Sequence, residues 1–154
     1  MSRLVAKFVS TVMASLLVVG MSSALMPQVP LKQKCSGTLT TVVPGHLTYS
    51  GAGQANHFGN YAILGSADFD QLGNVLNGHD FVIAADGSTI EGFFAGTFAP
   101  LPSGQIRFDV TVVWQNGTGR FAGVTGQSNV VAFADGVAPG AAFQYTGLGS
   151  LDFP

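Results

Sequence analysis

Cysteine is almost missing from this chain: Cys35 is the only one among 154 residues. That excludes an internal disulfide, so core packing alone must hold whatever fold forms. Positive charge is nearly as scarce. Beyond residue 24 there remain Lys32, Lys34, Arg107 and Arg120 against eight acidic side chains, a net charge of −4. Neutralising phosphates takes a cluster of Lys and Arg, so nucleic acid is excluded as a partner, and a basic membrane-binding surface with it. Helical patterning is the third absence, because no later stretch repeats apolar residues at a 3.6-residue spacing over ten positions. His46, His57 and His79 lack the paired spacing of a zinc site. "DFDQLGN" starts like a calcium loop at Asp68 and Asp70, but Leu72 and His79 stand where ligands are required. No metal and no cofactor is expected. A Gly-x-Ser-x-Gly nucleophile elbow is also absent.

What is present begins with Arg3 and Lys7, the apolar run "FVSTVMASLLVVG", and the small residues Ser22 and Ala24. That order of charge, apolar run and small residues is the pattern of a cleaved signal peptide over residues 1–24. The expected product is secreted or periplasmic, with no integral membrane span after cleavage. Residues 25–36 read as an N-terminal tail holding Cys35 as a free thiol, and "KQK" before it lacks the small apolar residues of a lipid-attachment box. Residues 37–154 remain as one domain.

Twenty of the 21 glycines fall after residue 24, scattered among Val, Ile, Phe and Thr. Short strands with turns have this composition. In "IRFDVTVVW", Ile106, Phe108, Val110, Val112 and Trp114 share one face and Arg107, Asp109, Thr111 and Val113 the other. "STIEGFFAGTFA" sets Ile90, Phe94 and Phe98 on one face with Gly92 and Gly96 between them, a pattern suited to a sharply curved sheet. "AADGS" supplies an Asp-Gly hairpin signal ahead of it. Seven or eight antiparallel strands in one short chain must remove their edges, and glycine-punctuated curvature favours a closed barrel over a sandwich.

"WQNGTGRFAGVTGQS", residues 114–128, formally contains Gly-x-Gly-x-x-Ala after a strand. A dinucleotide site would need a helix next, whereas two more glycines and a β-branched run follow. "NGTG" is therefore a tight turn, with Arg120 and Phe121 opening the return strand. The stretch "NGTGRFAGVTGQS" resembles the corner "GGTGRFxxAxG" of the allene oxide cyclase and dirigent barrel superfamily, in particular its small exported bacterial members. The upstream order "NHFGNY" and "AADGSTIEGFFAGTF" is similar too. The resemblance implies an all-β chain with a single eight-stranded antiparallel β-barrel, a partly apolar lumen, and a homo-oligomer, trimeric by analogy with plant members.

The ligand-facing surface is expected to be Phe94, Phe98, Phe108, Val110, Val112 and Trp114. Family members use acids and a tyrosine or a bound water, but no local motif in this chain fixes the register for carrying those residues over; the catalytic candidates are Glu91, Tyr49 and Tyr61. Glu91 stands amid aromatics in mid-strand; facing inward, burial would raise its pKa, and facing outward it is merely solvated. Two functional classes follow. One is a non-catalytic exported barrel that binds a small hydrophobic molecule or serves as a structural, oligomeric module. The alternative is a cofactor-free isomerase or cyclase of lipid-derived or phenolic intermediates, relying on positioning and exclusion of water.

Overall fold

The computed structural model describes residues 27–154, so the expected signal peptide lies outside the described residues. Eight strands follow one another: β1 (Gln28–Val43), β2 (His46–Ala55), β3 (Gly59–Phe69), β4 (Asn74–Ala84), β5 (Thr89–Pro100), β6 (Ile106–Gln115), β7 (Thr125–Ala134) and β8 (Ala142–Asp152). Each pairs antiparallel with the next, and β8 returns to β1 to close the barrel. The closing seam runs from Gln28 opposite Asp152 to Thr38 opposite Ala142, so no edge is left unpaired. Register shifts in β1, between Leu39 and Thr41, and in β4, between Val75 and Gly78, add the local twist that closure demands. Among the described residues no helix is long and apolar enough to cross a membrane.

Two sequence expectations change here. Residues 28–36, read as tail, form the first half of β1 and are paired along the seam with β8. Alternation inside that half is clear in the fold, with Leu31, Gln33 and Cys35 buried between exposed Lys32, Lys34 and Ser36. A glutamine and a cysteine at inward positions hid the apolar period from the sequence. Cys35 is thus a buried core residue and not a thiol at a flexible terminus. At the corner, Gly119–Phe121 is a single 3-10 turn, and the return strand starts only at Thr125.

That corner closes one end of the barrel. Phe121 turns inward and packs edge-on against Phe58, which also meets Trp114 edge-on, at centroid distances of 5.4 and 5.3 Å. All three rings are at most 1 % exposed. Burying each contributes about 2–3 kcal/mol. Arg120 ties the three basal connections together. Its guanidinium donates to the carbonyls of His57 (3.0 Å) and Phe58 and pairs with Asp86 at 3.0 Å, while its backbone N–H donates to Ser88 Oγ. Gly119, at φ +58, lies so close to Ser88 that no Cβ fits. The glycine-rich stretch is therefore the plug of the barrel base, which is why it needs glycine and why it begins no helix.

Candidate functional site

Exposure along β6 separates a closed base from an accessible mouth. Its inward residues Phe108 and Val110 remain partly exposed, whereas Val112 and Trp114, further toward the base, are 2 % and 1 % exposed. The mouth lies among the hairpins that join β1 to β2, β3 to β4, β5 to β6 and β7 to β8. Behind it is a cavity of about 70 Å³. Phe69, Phe94, Phe108, Val110 and Phe143 supply apolar walls, and Gln33, Tyr49, Asp80 and Tyr145 add polar groups to the lining. Eight strands leave an interior of this scale, filled by side chains or holding one small ligand.

Cross-strand register explains how the polar floor forms. Tyr49 stands opposite Gly65, Gly65 opposite Asp80, Asp80 opposite Gly92, and Gly92 opposite Trp114. Neither glycine presents a side chain to the interior. The Tyr49 ring occupies the space over Gly65 and the Trp114 ring the space over Gly92, so that a Cβ on either glycine would strike its neighbour's ring. Lying across Gly65, Tyr49 reaches Asp80 on the strand beyond, and its hydroxyl donates to Asp80 Oδ1 at 2.5 Å. A second pair, Tyr61 and Tyr145, joins hydroxyl to hydroxyl at 2.8 Å, and Tyr61 Oη also donates to the Lys34 carbonyl. Trp114 Nε1 and Gln33 Nε2 both donate to Ser128 Oγ, at 3.0 and 3.1 Å, leaving Gln33 Oε1 buried without a partner among the described residues.

Burial dominates the electrostatics. Asp80 is 6 % exposed, and loss of water pushes its pKa from 3.8 up to about 7, with the Tyr49 hydrogen bond pulling the other way. Burial likewise pushes the Cys35 thiol up to about 12, opposed by hydrogen bonding to Tyr145, and raises the phenols of Tyr49, Tyr61 and Tyr145. These groups are all neutral when protonated, and among the described residues no cation stands beside them. Lys32 and Lys34 point outward, and Arg107 and Arg120 are 45 % and 44 % exposed in pairs with Asp109 and Asp86. A carboxyl that holds its proton into the neutral range can donate or accept it there, and it can equally anchor a polar group inside an otherwise apolar cavity.

The residues singled out from sequence are divided among four places. Tyr49, Phe94, Phe108, Val110 and Val112 line the cavity. Phe98 stands at the mouth, edge-on to Phe69 at 5.3 Å. Trp114 and Tyr61 face inward but belong to the packed interior beside the cavity, and neither is part of its lining. Glu91 is on the outer face, its carboxylate 3.3 Å from His79 Nε2 and 3.4 Å from Asn116 Nδ2. Its inward neighbours are Ile90 and Gly92, so strict alternation turns Glu91 out with Phe93. Asp80, Gln33, Tyr145 and Ser128 were not anticipated. "HDFVIAA" carries apolar residues on both faces of β4, so alternation alone could not say whether His79 or Asp80 turned inward. In comparisons with protein-family models, curated proteins and solved structures, none matches the chain.

Proposed function

We propose that this chain is an exported binding barrel that takes a small, largely apolar molecule through its mouth and seats it against the floor at Asp80 and Tyr49. The observation that carries the proposal is the combination of an accessible apolar cavity with a polar floor above a sealed base. A lumen meant only for stability would be packed to the same density throughout. Export rests on the N-terminal pattern of charge, apolar run and small residues, and kinship with the allene oxide cyclase and dirigent barrels rests on the "NGTGRFAGVTGQS" corner. Assembly into a homo-oligomer belongs to the same proposal. Leu64, Phe93 and Val113, exposed by 55, 37 and 46 % on the outer faces of β3, β5 and β6, offer a surface to a second copy, which sedimentation velocity would report as a mass above that of the monomer.

The test is titration with n-hexanol, a neutral amphiphile narrow enough to enter. The readout is fluorescence of Trp114, the sole tryptophan, which is linked through Ser128 to Gln33. A saturable change that Val110→Trp abolishes by filling the cavity supports the proposal; a response absent at every concentration removes it. In the Val110→Trp protein the added indole is a second emitter, so calorimetry supplies the readout there.

A cofactor-free isomerase or cyclase is the second reading, and the Asp80–Tyr49 pair favours it. Asp80 takes the proton-transfer role that sequence offered to Glu91, because Asp80 is in the cavity with a pKa near neutrality. Turnover of lipid-derived or phenolic substrates that falls in Asp80→Asn and Tyr49→Phe but not in Glu91→Gln would support it. Equal rates in all three would remove it.

A further inference from the structure

The carboxyl on the floor of the cavity is only partly used by hydrogen bonds. Asp80 Oδ1 accepts a hydrogen bond from the Tyr49 hydroxyl, while its second oxygen has no hydrogen bond among the described residues. Gln33 Oε1 is buried in a residue only 5 % exposed and has no partner either. Both residues line the cavity. Four nearby donors are already committed: the Tyr49 hydroxyl to Asp80, the Tyr61 and Tyr145 hydroxyls to each other and to the Lys34 carbonyl, and the Trp114 N–H to Ser128. A buried acceptor without a donor costs as much as a lost hydrogen bond, and a buried carboxylate without a cation costs more. A carboxyl with a free oxygen on the cavity wall asks for a ligand that brings a donor and a positive charge.

We infer that the molecule this lumen takes is a primary amine with a short apolar tail, its ammonium held by Asp80 and its tail lying along Phe94, Phe108 and Val110. The inference rests on the lumen being a ligand site, as proposed above. An ammonium has three N–H donors, no acceptor and a positive charge, which matches an ionised Asp80 with a free oxygen and no cation beside it among the described residues. A carboxylate head is refused on the same grounds, since it would meet Asp80 with no cation to separate them. An alcohol has a single proton to give and no charge. Size agrees: a cavity of about 70 Å³ is roughly half the ~150 Å³ that encloses a benzene ring, so the head and first few carbons fit and the tail runs out toward Phe69 and Phe98.

The charge state of the floor sets the pH dependence. Facing Asp80 are Tyr49 from β2, Cys35 from β1, Tyr61 from β3 and Tyr145 from β8, all uncharged at neutral pH. From β5, β6 and β7 the cavity receives Phe94, Val112 and Val130, none of which titrates. Among the described residues Asp80 is therefore the group that switches the lumen from neutral to anionic as pH rises through about 7.

Calorimetric titration of the purified protein with n-hexylamine, n-hexanol and hexanoate at pH 8 tests the inference with three heads on one tail. The expected result is n-hexylamine at least about tenfold tighter than n-hexanol, the advantage of a hydrogen bond to a charged group, and no binding of hexanoate. Two further results are expected: the amine's advantage shrinks below about threefold at pH 5, and it vanishes in Asp80→Asn while n-hexanol still binds. If n-hexanol matches the amine at pH 8, or hexanoate binds best, the inference is overturned and the lumen remains a site for apolar ligands. If none of the three binds, the lumen is not a ligand site and the inference fails with that reading. The comparison on the unmodified protein decides the matter even if Asp80→Asn does not fold.

Discussion

Replacing Asp80 by Asn should make the protein more stable, and increasingly so as pH rises. In the unfolded chain this carboxyl ionises at its ordinary value of 3.8, whereas in the barrel burial holds the proton until about pH 7. Below pH 4 both states are protonated and the residue costs nothing. Between pH 4 and 7 the unfolded chain releases the proton while the folded chain keeps it, so stability falls with rising pH throughout that window. Above 7 the fold must carry a buried charge. At 1.36 kcal/mol per pKa unit, the gap between 3.8 and about 7 amounts to about 4 kcal/mol. Asn removes that cost and keeps an oxygen to accept the Tyr49 hydroxyl. For a domain of this size the gain corresponds to a rise in Tm of roughly 10 °C. The assay is thermal and guanidinium unfolding of both proteins from pH 4 to 8. Taking the difference cancels every other titrating group, including the three histidines. Coincident stabilities near pH 4 that diverge toward pH 8 are predicted. A difference that is flat with pH, or Asp80→Asn less stable at pH 8, would refute the burial argument.

Other changes have equally definite outcomes. Gly65→Ala places a Cβ where the Tyr49 ring lies, and overpacking of this kind should cost about 1–3 kcal/mol in guanidinium unfolding. Moving Tyr49 away from Asp80 should also lower the Asp80 pKa less effectively, so the titration of Asp80, followed by carboxyl NMR, shifts upward. Glu91→Gln, on the outer face beside a half-exposed His79, should change stability by less than about 0.5 kcal/mol and leave binding of n-hexanol unaltered. Cys35, 6 % exposed with its pKa near 12, should resist iodoacetamide at pH 8 in the native state and react at once in guanidinium.

The architecture was legible because closure is written in local signals. Ile106, Phe108, Val110, Val112 and Trp114 alternate without a break, and β3 coincides with the apolar-and-glycine stretch "GNYAILGSADF". β1 was partly lost because its inward positions include Gln33 and Cys35, which break an apolar period although both are buried. The tight turn at "NGTG" is legible, but Arg120 and Phe121 belong to the turn and not to the return strand: they have the look of an alternating pair, while in the fold one clamps the base and the other fills it. The site was the least legible part. Tyr49 meets Asp80 only because Gly65 lies between them in the register, a relation across three strands that no short motif contains. Glu91 drew attention for its isolation among aromatics, yet a single residue of parity separates the outer face from the lumen.

The lumen, reached through the mouth and sealed at the base, is the place proposed for this protein's ligand. A crystal structure of the protein soaked with 6-bromohexan-1-ol tests it most directly, through the anomalous signal of bromine. One strong peak is expected at the mouth, against the Phe69, Phe98 and Phe108 rings, with the alkyl chain descending to Asp80. A peak on the outer face beside Phe93 and Val113, with the lumen unoccupied, would contradict it.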